Sequence, residues 1–64
     1  MPLINVSGPV IDTECKRRLA EGLTKAAAEA YGFTAEDIIV VIQEFPLENV
    51  AAGGVLLADQ RREA

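Results

Sequence analysis

The stretch Ile38-Ile39-Val40-Val41-Ile42 is an unbroken run of β-branched residues in the second half of the 64-residue chain. β-Branched side chains pack well on a pleated sheet, so this run predicts a β-strand over residues 38–42. Because its apolar residues do not alternate with polar ones, the strand is expected to be buried on both faces of its sheet. The rest of the fold must therefore cover this strand on two sides.

A long helix is predicted before this strand. Asp12 is well placed as its N-cap, because a short carboxylate accepts hydrogen bonds from the free N–H groups of a first helical turn. Gly32 supplies the stop, so the helix should end near Tyr31. Apolar residues at helical spacing predict the face that packs on the sheet, and they place the cysteine in the core. This apolar stripe consists of Cys15, Leu19, Leu23, Ala26, Ala27 and Ala30.

The chain opens with another extended segment. Residues 3–7 (LINVS) alternate with period two, and Gly8 followed by Pro9 ends the pattern. Strand, helix and strand form a β-α-β unit, in which the strands are parallel and the crossover is right-handed. One long helix covers one face of the sheet, so we expect the other face to meet a second copy of the chain.

Beyond residue 43 the sequence becomes loop-like and leads into a predicted hairpin. Residues 51–54 (AAGG) indicate a turn, and residues 55–58 (VLLA) a short strand or hairpin arm. Residues 59–64 are expected to form a solvated tail. The predicted fold class is α+β, a β-α-β unit with a C-terminal β-hairpin in a single domain over residues 1–64. Oligomerisation is expected to complete and cover its sheet.

Size and composition limit the possible functions. In a chain below roughly 70–80 residues, the hydrophobic core alone rarely stabilises the fold. With one cysteine and no histidine, the chain has neither a disulfide framework nor a dedicated metal site. Self-association is the remaining source of stability. We expect neither a metal nor a cofactor. Ten acidic against six basic residues argue against nucleic acid. The lack of a long apolar span or a signal peptide argues against a membrane and predicts a cytoplasmic protein.

The sequence offers two residues of particular interest for nucleophilic or acid–base chemistry, Cys15 and Pro2. The absence of histidine rules out Ser-His-Asp and Cys-His arrangements within the chain. Cys15 near the helix start is one candidate nucleophile, although a packed core thiol explains it better. Pro2 is the other candidate. If Met1 is removed, the nitrogen of Pro2 becomes a secondary amine that can take up and return a proton, but a proline at this position also simply favours methionine removal.

Several short segments occur in a characteristic order. They are PLINV at residues 2–6, the helix start with Glu14, Lys16 and Leu19, LTKA at residues 23–26, IIVVIQE at residues 38–44 and AAGG at residues 51–54. In this order and spacing the whole chain resembles the 4-oxalocrotonate tautomerase family. The resemblance implies a homo-oligomer, by analogy a hexamer with a dimer as its building block.

The resemblance also implies a reaction. Pro2 would act as general base and acid in an enol–keto tautomerase or isomerase, with a small 2-hydroxydienoate or 2-oxo acid as substrate. A related proline-dependent hydratase, decarboxylase or dehalogenase is a variant of this chemistry. An alternative of another class is a non-catalytic oligomeric binding module that has kept the scaffold.

The sequence departs from the family pattern in its cations. Two arginines that bind substrate carboxylates in the family are missing, one just ahead of the helix, where residues 10–12 (VID) stand, and one at Ile39. Val50 stands where the family has an aromatic residue that lines the pocket. Either another cation substitutes, or the substrate is less charged and more apolar. The candidate substitutes are Lys16, Arg17, Arg18 and Arg61, and the candidate substrate-binding residues are Ile39, Val50, Arg18 and Arg61.

Overall fold

The structure, a computed structural model, describes residues 1–61, and of Arg61 it describes only the backbone. Its central element is a two-stranded parallel sheet of β1 (Leu3–Gly8) and β2 (Ile39–Glu44). The parallel β-α-β arrangement is confirmed, with β2 shifted toward the C-terminus of the predicted range. Ile38 precedes the strand, and the polar pair Gln43 and Glu44 continues it, because both remain in register with β1.

The long helix α1 (Thr13–Tyr31) begins and ends as predicted. The Asp12 carboxylate accepts a hydrogen bond from the backbone N–H of Cys15 at 2.8 Å. Gly32 has a φ of 76°, a left-handed conformation that glycine adopts without steric cost, and its N–H donates to the carbonyl of Ala28 at 2.9 Å. Both ends of the helix are therefore fixed by local side-chain and backbone chemistry.

The helix presents a different face to the sheet from the one that the apolar stripe predicts. Leu19 and Leu23 are half-buried and Ala27 is buried, as expected, but Cys15, Ala26 and Ala30 are exposed. The half-buried face also includes Lys16, whose ammonium group lies 2.9 Å from the Glu44 carboxylate at the end of β2. Successive helical residues are about 100° apart, so a helix that turns Lys16 toward the sheet turns Cys15 away. The rest of this face consists of Ala20, Thr24 and Ala28.

The sheet is covered on one side only. Side chains of β1 and β2 alternate between half-buried and exposed, and the half-buried set (Ile4, Val6, Val40 and Ile42) faces the helix. On the other face, Leu3 is 59% exposed and Ile39 and Val41 are each 38% exposed. The continuous apolar run of β2 predicts burial on both faces of the sheet. In the described chain, α1 covers one face and the other face stays exposed.

The C-terminal region forms the predicted hairpin. Strands β3 (Ala51–Ala52) and β4 (Val55–Leu56) pair in antiparallel fashion. Gly53 and Gly54 have φ values of 62° and 85°, which fits a tight two-residue turn with positive φ at both central positions. The hairpin prediction is confirmed.

The segment after the hairpin differs from the predicted arm and tail. Leu57 and Ala58 do not extend the strand; they begin a short helix, α2 (Leu57–Arg61). The N–H of Leu57 donates to the carbonyl of Val50 at 2.8 Å, and the Gln60 side chain donates to the carbonyl of Val55 at 3.1 Å. These bonds turn the chain back on the hairpin. Residues 62–64 of the predicted tail lie outside the described residues.

The described chain is elongated, with a small core. Its radius of gyration is 15.1 Å and its longest dimension 44 Å, whereas a compact domain of this length has a radius of about 11 Å. Among the described residues, Ala27 and Ile38 alone are buried hydrophobic residues, and each keeps a little exposed surface. In residues 1–61, none of the helices is both long enough and apolar enough to cross a membrane.

Candidate active site

Pro2 lies at the amino end of the parallel sheet, immediately before β1. It is half-buried, and its carbonyl accepts a hydrogen bond from the N–H of Ile39 at 3.0 Å. This bond fixes the backbone of Pro2 beside β2 without using the proline nitrogen. Met1 is 85% exposed and takes part in none of the hydrogen bonds described for residues 1–61. Removal of Met1 therefore breaks none of the hydrogen bonds described at the start of the sheet.

Ile39 is the candidate substrate-binding residue that lies beside Pro2. It is the first residue of β2 and pairs with Leu3, and both side chains are on the sheet face that the helix does not cover. An isoleucine at this position offers apolar contact and no charge.

Val50 lies at the opposite end of the sheet. It follows a 3₁₀ turn at Leu47–Asn49, which the sequence suggests only as a loop, and the N–H of Phe45 just before this turn bonds the carbonyl of Gly8 at 3.0 Å. At about 3.3 Å per residue, the six residues of β1 place Val50 roughly 20 Å from Pro2. A single chain therefore does not bring Pro2 and Val50 together.

Val50 lines a cavity of about 290 Å³ at the carboxyl ends of β1 and β2, which we call the hairpin cavity. Its walls come from the end of β1, the segment after β2 and the start of α2. They are largely apolar, and the only side chain among them with a hydroxyl group is that of Ser7. The described lining consists of Ser7, Gly8, Pro9, Phe45, Leu47, Val50 and Leu57.

Three of the candidate cations lie in the first turns of α1. The helix runs antiparallel to the strands, so these turns are at the Val50 end of the sheet. Lys16 pairs with Glu44 at 2.9 Å and Arg17 pairs with Glu14 at 3.1 Å, whereas Arg18 is exposed. The fourth candidate, Arg61, belongs to α2, and its side chain lies outside the described residues.

Glu44 joins β2 to α1 and to the segment between β1 and α1, and it was not among the candidate residues of the sequence. One carboxylate oxygen contacts Lys16 of α1, and the other accepts a hydrogen bond from the N–H of Ile11 at 3.0 Å. The hydrogen bond from Lys16, followed by that from Ile11, lowers the pKa of Glu44. An acid at the end of β2 and a lysine in the first turn of the helix are the sequence signal for this contact.

Cys15 has the features of neither a core thiol nor an activated nucleophile. Its side chain is exposed, so the core assignment is wrong. Its hydrogen bond with Asp12, together with the negative charge of that carboxylate, raises the pKa of the thiol. The N-cap therefore opposes the effect of the helix N-terminus, which by itself lowers a thiol pKa.

A second, more open cavity of about 490 Å³ runs along the flank of α1. Its floor is made of small side chains of the helix, Ala20, Thr24 and Ala28, with Ala35 opposite them. Charged residues border it in alternating sign at four-residue spacing: Glu21, Lys25 and Glu29. Neither of the two cavities includes Pro2 in its described lining.

Comparison with known proteins identifies this arrangement. The family described as "Tautomerase enzyme" matches residues 2–60. DmpI from Archaeoglobus fulgidus is 46% identical over 91% of this chain and 100% of its own, with a TM-score of 0.84. TomN, a 4-oxalocrotonate tautomerase homologue in the tomaymycin biosynthetic pathway, is 34% identical over 95% of both chains, with a TM-score of 0.89.

A third similar structure is a heterohexameric 4-oxalocrotonate tautomerase from Chloroflexus aurantiacus. It is 30% identical over 92% of this chain and 95% of its own, with a TM-score of 0.78. A comparison with curated proteins gives no significant match. The family match extends over almost the whole chain and begins at Pro2, and the chain therefore belongs to the tautomerase family.

Proposed function

We propose that the protein is an enol–keto tautomerase that acts on a small 2-hydroxydienoate or 2-oxo acid, with Pro2 as the catalytic residue after removal of Met1. The observation that carries this proposal is the position of Pro2. It stands at the start of β1 in a chain of the tautomerase family, and its nitrogen takes no part in the sheet. A residue with this nitrogen free is a secondary amine.

The amine performs both proton transfers. In its neutral form it accepts the hydroxyl proton of the enol, and the resulting ammonium group gives a proton to a carbon of the conjugated system. One O–H bond breaks and one C–H bond forms, so the reaction needs no oxidant or reductant. An apolar site between copies of the chain would disfavour the charged form of the amine, and a general base works best when its pKa lies near the working pH.

The site is proposed to form between copies of the chain. Pro2 and Val50 lie at opposite ends of one sheet, so they share a site only if Pro2 of one copy meets the hairpin cavity of another. In such a site, Ile39 lies beside the base and Val50 lines the cavity. Arg18 and Arg61 remain proposed cations at the cavity end of the chain.

A homo-oligomer is part of the same proposal, with a hexamer built from dimers as the expected assembly. The exposed sheet face, the small core and the elongated shape support it. We propose a cytoplasmic location, supported by the single thiol in the sequence.

Substitution of Pro2 tests the proposed reaction. Pro2→Ala should lower kcat/KM for ketonisation of phenylenolpyruvate or 2-hydroxymuconate by about 10²- to 10⁴-fold, the contribution of a positioned acid–base group. Pro46→Ala is the matched control, because it removes a proline ring that is exposed and lies outside the described cavity linings. Mass spectrometry establishes that Met1 is absent from the assayed protein.

Equal rates for Pro2→Ala and the wild type would contradict the proposal. A wild-type protein that lacks Met1 and turns over neither substrate would favour the non-catalytic binding module. The missing substrate-binding arginines at residues 10–12 and at Ile39 are the observation on which that alternative rests.

A further inference from the structure

The hairpin cavity has a chemical character that bears on the choice of substrate. Its volume of about 290 Å³ is at the lower end of the range for small-molecule pockets. Its lining includes the apolar side chains of Phe45, Leu47, Val50 and Leu57. Its one hydroxyl group, that of Ser7, donates to the side-chain oxygen of Gln43 at 3.2 Å. The described walls therefore offer apolar contact and few free hydrogen-bond donors.

The cations of the helix lie on the other side of the sheet. Side chains of β2 alternate in direction, so Glu44 faces α1 whereas its neighbours Gln43 and Phe45 face away from the helix. Lys16 is held on the helix side by its contact with Glu44. Within residues 1–60, no cationic side chain belongs to the lining of the hairpin cavity.

We infer that the hairpin cavity binds an apolar group of the substrate, so that the natural substrate is an aryl- or alkyl-substituted monocarboxylate rather than a dicarboxylate. A carboxylate that enters such a cavity loses its hydration and gains no charged partner, which is costly. A phenyl or branched alkyl group in the same place leaves water favourably. For the reacting end of the substrate, the inference rests on the proposed function. For the other end of the substrate, it rests on the lining of the hairpin cavity.

A matched pair of unreactive acids tests the cavity directly. 3-Phenylpropanoate and 3-(4-carboxyphenyl)propanoate differ only in a second carboxylate. Each is titrated into the full-length protein, and NMR follows the methyl groups of Leu47, Val50 and Leu57. We expect 3-phenylpropanoate to shift these methyl signals and to bind at least about tenfold more tightly, the ratio that one charge-assisted hydrogen bond would offset.

A pair of variants at Val50 adds a second measurement. Val50→Arg places a cation in the cavity wall and should reverse or remove the preference for 3-phenylpropanoate. Val50→Met changes size without charge and should preserve the preference. If the arginine variant does not fold, the titration of the wild type still decides the question.

Two results would overturn the inference. One is equal or tighter binding of the dicarboxylate by the wild type. The other is a lack of response of the cavity methyl groups to either acid, as expected if a side chain of a second copy or of α2 already fills the space. Neither result bears on Pro2, because binding of unreactive acids does not need the proton transfer. Conversely, if Pro2→Ala turned over substrate as fast as the wild type, the proposed reaction would be wrong but the binding preference of the cavity would still stand.

Discussion

At the scale of single residues, the proposed chemistry centres on the nitrogen of Pro2, which the sheet leaves free. The carbonyl of Pro2 is bound by Ile39, and its nitrogen is outside the ladder. The thiol of Cys15 is the other candidate reactive group. It is less easily ionised than a free thiol, because Asp12 raises its pKa. The raised pKa disfavours a thiolate nucleophile at Cys15, and the proposed proton transfer by an amine does not need one.

Glu44 makes stability depend on pH. Its pKa is lowered in the folded protein by Lys16 and by the N–H of Ile11, so its stabilising contribution is fully present above the ordinary glutamate pKa of 4.5. That contribution is lost as the pH falls through the lower, folded value. Glu44→Gln should therefore lower the melting temperature at pH 7 and narrow its difference from the wild type as the pH approaches 3.

The control for this prediction is Glu48→Gln, at an exposed carboxylate outside the ion pairs described for residues 1–61. Its melting temperature at pH 7 should match that of the wild type. A Glu44→Gln protein that melts with the wild type at pH 7 would show that the contact with Lys16 and Ile11 adds no stability.

At the scale of elements, the same substitution at two glycines should have opposite effects. Gly54 has a φ of 85° in the hairpin turn, and a Cβ atom there would meet no atom within 4 Å. The cost of Gly54→Ala is therefore one of backbone conformation, about 1–2 kcal/mol. Gly22 lies in the middle of α1 with equal space, so Gly22→Ala should stabilise the protein by up to about 1 kcal/mol.

Urea unfolding of the two variants measures both effects under one set of conditions. We predict midpoints on opposite sides of the wild-type value. A shift of both midpoints in the same direction would contradict the assigned backbone conformations.

Elements fixed by local chemistry are those that could be predicted from the sequence. Asp12 and Gly32 set the ends of α1, and Gly53 with Gly54 sets the hairpin turn. The rotation of α1 on the sheet could not be predicted in this way, because it is a matter of tertiary packing, in which Lys16 contacts the distant Glu44. The prediction of a core position for Cys15 used only the spacing of apolar residues along the helix, and this spacing does not contain the contact with Glu44.

The start of α2 shows the same limit. Leu57 continues an apolar run and suggests a strand, but its N–H bonds to Val50 and turns the chain into a helix. In the candidate site, the sequence identified Pro2, Ile39 and Val50 as residues of interest. It did not show that Pro2 and Val50 occupy opposite ends of one sheet, because this separation is a consequence of the topology.

At the scale of the whole molecule, the uncovered sheet face requires a partner. Leu3, Ile39 and Val41 form an exposed apolar strip on a chain with only two buried hydrophobic residues in its described core. We expect sedimentation to show a mass that is a multiple of 6.8 kDa, with six copies as the proposed assembly. A well-folded monomer of 6.8 kDa as the only species would contradict this expectation.

Val41→Glu tests which surface is used in that assembly. A carboxylate on a face buried between copies loses its hydration without a partner and costs several kcal/mol. The variant should therefore sediment at a lower mass than the wild type. An unchanged mass would show that the uncovered face of the sheet lies outside the interface.

The central claim is that Pro2 is the base, and the most direct measurement of it is the titration of proline nitrogens by NMR on protein labelled with ¹⁵N-proline. The chain has three prolines, and an amide nitrogen does not take up protons in the working range. We predict that one ¹⁵N signal titrates and that its midpoint coincides with the acid limb of the pH profile of kcat/KM for the free enzyme. A sample in which no proline signal titrates, or in which the midpoint and the pH profile disagree, would contradict the assignment of Pro2 as the catalytic base.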